Sequence, residues 1–174
     1  MWEVPAIVVI SDLPAEADDR AVPGHWEGDL ILGAGNSAIA TLVERHSRYT
    51  HLTALPHGRG VDQVTHALST SMQRLPDTLK RSLTWDQGKE MSHHPQSTIT
   101  TGIPVYFCPP GTPWLRGSNE NTNRLIREFL PKGTNLTHHT QTHLDHIATL
   151  LNTRPRKTLN WNNPTEQLTL ALTT

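Results

Sequence analysis

A chain of 174 residues is long enough for one domain with a sizeable core. Hydrophobic residues make up 35% of it and mean hydropathy is −0.47, and no run approaches the roughly 18 apolar residues of a membrane span, which excludes a spanning helix. The lone cysteine, Cys108, excludes an internal disulfide and a multi-cysteine zinc site, so a reducing cytoplasm is the natural expectation. Met1 to Ile10 has no basic segment, and no signal peptide is expected there.

In chain order, residues 1–24 contain Pro5, Pro14, Pro23 and a cluster of acids, and read as an extended lead-in to a core over residues 25–174. Trp26 to Leu32 reads as a first strand, and Gly33 to Ser37 has turn chemistry. Ala38 to Glu44 and Tyr49 to Leu55 read as two further strands, completing an antiparallel meander. Val61 to Leu75 carries Val61, Val64, Ala67, Leu68 and Met72 at helical spacing and predicts an amphipathic helix, stopped by Pro76 and Asp77. Ser82 to Trp85 is a short strand that ends at Asp86. Lys89 to Thr101 reads as a short helix interrupted near Pro95. Val105 to Cys108 is a strand closed by Pro109-Pro110-Gly111. Asn119 to Leu130 and Thr140 to Leu151 are helical. Three strands, a helix, a strand, a helix, a strand and then helices is the order of an α/β, ribonuclease-H-like fold, in which a parallel part follows an antiparallel meander.

Three carboxylates in well-spaced settings carry the chemistry. Asp29 lies in His25-Trp26-Glu27-Gly28-Asp29, Asp86 in Trp85-Asp86-Gln87-Gly88, and Glu120 in Gly117-Ser118-Asn119-Glu120-Asn121. Asp29 belongs to a strand expected to be central, and Asp86 ends a strand, where ligand sites gather in open α/β sheets. Glu120 falls in the first turn of a helix. Carboxylates from separate elements can hold one or two Mg²⁺ ions over a phosphodiester. Spacing alone leaves the alternative open that these acids are caps and turn residues.

The net charge of −1 conceals an asymmetry. Residues 1–113 carry 8 basic and 12 acidic side chains, whereas residues 114–174 carry 7 and 4. The positive half holds Arg116, Arg124, Arg127, Lys132, Arg154, Arg156 and Lys157, a patch able to meet a phosphate backbone or simply to face solvent. His139, His143 and His146 fall at one helical face and could bind a transition metal, although an exposed histidine row is the ordinary reading. Trp85 is expected to pack at a strand end more than to stack a base. Trp114 is equally balanced between packing and DNA contact, and Cys108 reads as a buried strand residue.

His25-Trp26-Glu27-Gly28-Asp29, Ala40-Thr41-Leu42-Val43-Glu44-Arg45, Leu83 to Glu90, Pro113 to Asn123 and Asn152 to Leu159 together resemble bacterial insertion-sequence transposases of the IS-thirty family. The resemblance runs from about Pro14 to Leu168. It implies an integrase-type catalytic core with a DDE triad at Asp29, Asp86 and Glu120. It further implies Mg²⁺ as cofactor with Mn²⁺ as a substitute, and strand cleavage followed by joining of the freed 3′-hydroxyl to target DNA. Arg127 matches a basic residue found seven positions after the glutamate in such cores. Arg116, Arg154 and Lys157 are the further candidates for DNA contact. The expected partners are transposon ends, target DNA, and a second copy or full-length transposase, with no membrane. Family members usually carry an N-terminal helix-turn-helix region, so end recognition is not expected from this polypeptide alone. Leu115 and Arg124 stand where Gln and Gly are expected. Two other readings stay open: a catalytically silent multimerisation or inhibitory partner, and a structure-selective nuclease.

Overall fold

In a computed structural model the described residues are 15, 20–86, 102–108 and 117–173; for Val61, Asp86, residues 107–108 and residues 117–120 the description covers the backbone alone. The expected helix over Lys89 to Thr101 and most of the lead-in lie outside these residues. The strands are β1 (His25–Leu32), β2 (Ala38–Glu44), β3 (Thr50–Ala54), β4 (Ser82–Asp86) and β5 (Val105–Cys108). The helices are α1 (Val61–Gln73), α2 (Gly117–Ile126), α3 (Gln141–Asn152) and α4 (Pro164–Thr173). The sheet order is β3-β2-β1-β4-β5, with β1 central. β1 pairs antiparallel with β2 and β2 with β3, whereas β4 pairs parallel with both β1 and β5. This is the expected mixed α/β sheet of a ribonuclease-H-like fold, flanked by helices.

Strand alternation sorts the core into two layers. Trp26, Ala40, Leu42, Leu83 and Trp85 pack with Val64, Leu68 and Met72 of α1. Ile31, Ile39 and Leu52 face the other way, against Ile126 of α2, Leu130, Leu136, and Leu144, Ile147 and Leu151 of α3. His25, Glu27 and Asp29 alternate with Trp26 and Gly28, and so belong to the α2 side of β1. His25 Nδ1 and Ser82 Oγ, 2.7 Å apart, bind across the parallel ladder on that side. Glu27 is fully buried there against Arg45, at 2.7 Å.

β3 is an edge strand, and exposed edges invite unwanted pairing. Two amides of α3 cover it. Asn152 donates to the Thr50 carbonyl and accepts from the Thr50 amide, both at 2.8 Å. Gln141 accepts from the Ala54 amide at 2.9 Å and donates to the Leu52 carbonyl at 2.7 Å. The side chains thus replace the missing neighbouring strand.

The helix expected to reach Leu75 ends at Gln73, and two further differences are larger. The helix expected to run to Leu130 ends at Ile126, and the chain then tightens: Glu128 and Phe129 donate to carbonyls three residues back, at 3.2 and 2.9 Å. Pro131 follows, and a residue before proline is driven out of helical geometry. α4 was not among the expected elements. Its start carries a reciprocal cap, with the Glu166 amide on Asn163 Oδ1 at 2.8 Å and the Asn163 amide on Glu166 Oε2 at 3.0 Å. Pro164 stands at the first helical position, so Asn163-Pro164-Thr165-Glu166 was a readable start signal.

Two outcomes follow for stability. Asn152→Ala strands a buried amide and carbonyl of Thr50 and should cost about 2 kcal/mol in chemical denaturation. His51, on β3, has its imidazole held below the ordinary range by burial, with Arg74 acting the same way and Asp145 opposing. The folded chain therefore resists protonating it while the unfolded chain titrates near 6.5. Its stabilising contribution is present above that value and is lost as pH falls below it. His51→Gln should flatten the decline in stability on acidification, read as melting temperature against pH.

Candidate active site

β1 meets β4 in parallel, with His25 opposite Ser82, Trp26 opposite Leu83 and Glu27 opposite Thr84. The ladder ends at Glu27 and Thr84, and Asp29 and Asp86 each stand two residues beyond that last pair, on adjacent strands. A glycine makes the close approach possible. A Cβ at Gly28 would stand 2.2 Å from two atoms of the Trp85 ring, so only a bare backbone fits. Trp85 is 2% exposed, which bears out its packing role and removes it as a stacking platform.

Asp29 is partly buried, and both its oxygens are engaged. Oδ1 accepts from the Leu30 amide at 2.8 Å, and Oδ2 accepts from Asn123 Nδ2 at 2.9 Å. Asn123 lies on α2, so the helix that contains Glu120 reaches Asp29 directly. Glu120 precedes Asn123 by three residues, which places the two positions on neighbouring turns of one helix face. Sequence reasoning passed over Asn123; its spacing from Glu120 was the available signal. The side chains of Asp86 and Glu120, like Arg116, Trp114 and Cys108, lie outside the described ones. Among the described residues no group of three or more His, Cys, Asp or Glu side chains is placed to hold a metal.

The chemistry around Asp29 fits a hard cation. Asn123 Oδ1 and Thr84 Oγ1 are buried without a hydrogen-bond partner among the described residues. Such oxygens ordinarily meet a water or an ion, and Mg²⁺ takes oxygen ligands while retaining waters. Glu27 shares Asp29's side of β1 but is bound to Arg45, and Arg20 stands 3.8 Å away. That buried pair ties β1 to the residue that follows β2.

The candidate cations divide by their partners. Arg127 donates to the Leu32 carbonyl at 3.0 Å and the Leu130 carbonyl at 3.3 Å, clamping the end of β1 to the turn after α2. Arg154 pairs with Glu128 at 3.2 Å. Lys157 is exposed, with no ion pair among the described residues. His139 and His143 stack at 5.1 Å, and burial, followed by His143 and His138, lowers the His139 imidazole's affinity for a proton. A cleft of about 350 Å³ lies between β3 and α1, lined in part by His51, His66 and Arg74, away from the carboxylates.

Gly28→Ala should drive β1 from β4 and cost about 2 kcal/mol, as overpacking does. Adding Trp85→Leu should recover part of that loss, measured by urea denaturation of the single and double variants.

The profile of the integrase core domain family matches residues 19–113, a stretch that includes Asp29 and Asp86 and stops before Glu120. The chain is 48% identical over 171 residues to the transposase for insertion sequence element IS1086 of Cupriavidus metallidurans, covering 98% of this chain and 50% of that protein. It is 52% identical over 149 residues to transposase InsI for insertion sequence element IS30A of Escherichia coli K12, covering 86% and 39% respectively. A transposase for insertion sequence element IS4351 of Bacteroides fragilis is 32% identical over 165 residues, covering 94% and 50%. The chain spans about half or less of the length of these relatives. With this match, its sheet order and its element order, the chain belongs to the integrase core domain family, in the IS30 group of DDE transposases.

Proposed function

We propose that this chain is the catalytic core of a transposase that cuts DNA strands and joins a freed 3′-hydroxyl to target DNA. Asp29, Asp86 and Glu120 are the proposed metal ligands. The observation that supports the reading is the parallel pairing of β1 and β4, whose last pair, Glu27 and Thr84, lies two residues before each of the two aspartates. The bond from Asn123 of α2 to Asp29 supports the third position, since Glu120 lies one turn earlier on the same helix.

When bound, Mg²⁺ supplies positive charge to the phosphodiester oxygens and lowers the pKa of the attacking water or 3′-hydroxyl. The chain's own part is positional. The Leu30 amide and the Asn123 amide fix the rotamer of Asp29, so the carboxylate does not have to reorganise as charge develops. Crowding carboxylates is costly without a cation, because like charges at short range resist ionisation together. The buried Glu27–Arg45 pair braces the strand that carries Asp29.

Arg116, Arg127, Arg154 and Lys157 are the proposed DNA-backbone contacts. Lys157, exposed, is the strongest of them; Arg127 acts mainly through the fold, given its two carbonyl partners. The proposed partners are transposon ends, target DNA and a second copy or full-length transposase, because paired-end cleavage needs two ends held together.

Asp86→Asn should abolish strand cleavage and joining in Mg²⁺, by at least about a hundredfold, while melting temperature is retained. Unchanged joining by the variant rules the assignment out. Asn123→Ala should retain the fold and weaken Mn²⁺ binding in calorimetry, since it frees the Asp29 rotamer; identical metal affinity removes Asn123 from the site.

A further inference from the structure

Between α3 and α4 the chain reads Thr153-Arg154-Pro155-Arg156-Lys157-Thr158-Leu159-Asn160-Trp161-Asn162-Asn163, with three basic residues and no acid. The loop closes on the backbone of Arg156. The Arg156 amide donates to the Asn162 carbonyl at 3.0 Å, and the Arg156 carbonyl accepts from the amides of Leu159 at 3.0 Å and Trp161 at 2.8 Å. Its side chain is buried and donates to the Leu151 carbonyl at 3.1 Å. The loop is thus a tight turn anchored to the end of α3.

At its tip two consecutive residues are left-handed. Asn160 has φ 54° and Trp161 has φ 67°. Asparagine tolerates this region, but a bulky aromatic residue does so only at a cost in free energy. Strain of this kind persists where the surroundings impose it, and it gathers at ligand-contacting sites. Trp161 is moreover 67% exposed, more than any other large apolar residue described. An indole offers much apolar area, and burial is its ordinary fate. This loop instead holds its tryptophan in water, in a strained conformation, among cations. Lys157 is exposed four residues earlier, and Arg154 is half-exposed at the neck. The Arg156 guanidinium is held below its ordinary affinity for a proton by burial, then by Arg154 and Arg48, so a fourth cation stands close by.

We propose that Trp161 is a nucleic-acid contact that stacks its indole on an unpaired or splayed base of bound DNA, while Lys157 and Arg154 engage the flanking phosphates. The inference rests on the DNA-processing function proposed above and adds the residue and the mode of contact. An aromatic face accepts any base, so the contact suits substrates of varied sequence. The acid-free composition of the loop favours a polyanion over a protein surface.

The test is fluorescence anisotropy of labelled single-stranded and gapped DNA with the full chain, its Trp161→Ala, Trp161→Phe and Lys157→Ala variants, at several salt concentrations. Trp161→Ala should weaken binding about fivefold or more with an unchanged salt dependence, and Trp161→Phe should retain most of the affinity. Lys157→Ala should lower the salt slope by about one. Equal affinities for the wild type and Trp161→Ala overturn the proposal, as does an unchanged affinity accompanied by a changed oligomeric state in sedimentation. DNA binding by the wild type with no effect at Trp161 leaves the transposase reading standing. No DNA binding by the wild type at low salt removes that reading and the proposal together.

Discussion

The structure depends on how closely β1 and β4 approach. Trp85 fills the space where any side chain at position 28 would stand, and glycine leaves that space free. The same contact adjoins both proposed aspartate ligands, because Gly28 immediately precedes Asp29 and Trp85 immediately precedes Asp86. On one side of the sheet the contact is apolar and tied to α1; Asp29 and Asp86 each follow two residues after the last β1–β4 pair. One packing interaction thus serves the core and the candidate site at once.

The α2 side of the sheet is unusually polar for an interior surface, and its acids are handled in two ways. Glu27 is neutralised by a buried arginine, an arrangement in which loss of either partner leaves an uncompensated charge. Asp29 receives two amide donors, from Leu30 and Asn123, which orient it. A carboxylate oriented in this way suits a cation ligand. The helix that supplies one of these donors also carries Glu120. Its far end is bound to β1 through Arg127, so α2 is tied to the central strand at both ends of the proposed site.

Much of this was legible in the residues. The alternation of Trp26 to Leu32, the turn at Gly33-Ala34-Gly35 and the period of Val61 to Met72 each express one local preference, and the elements formed there. Asp29 could be singled out because a charge flanked by apolar residues is costly unless used, and Asp86 because it ends an apolar strand. The pairing of Gly28 with Trp85 was not legible, since it joins residues 57 positions apart through register alone. Nor was the role of Asn123, whose amide becomes informative only once α2 is laid across β1. The exposed Trp161 was hidden for another reason: solvent exposure of an aromatic residue depends on the left-handed turn around it. The start of α4, in contrast, was written in Asn163-Pro164-Thr165-Glu166 as capping chemistry.

The central claim is that the register of β1 and β4, with α2 across them, makes one cation site. Paramagnetic broadening by Mn²⁺, followed across the backbone amides of the isotopically labelled chain, tests it most directly. The account predicts that low Mn²⁺ broadens Leu30, Thr84 and Asn123 together, with excess Mg²⁺ reversing the effect. Broadening centred on His139 and His143, with Leu30 and Asn123 unaffected, contradicts it.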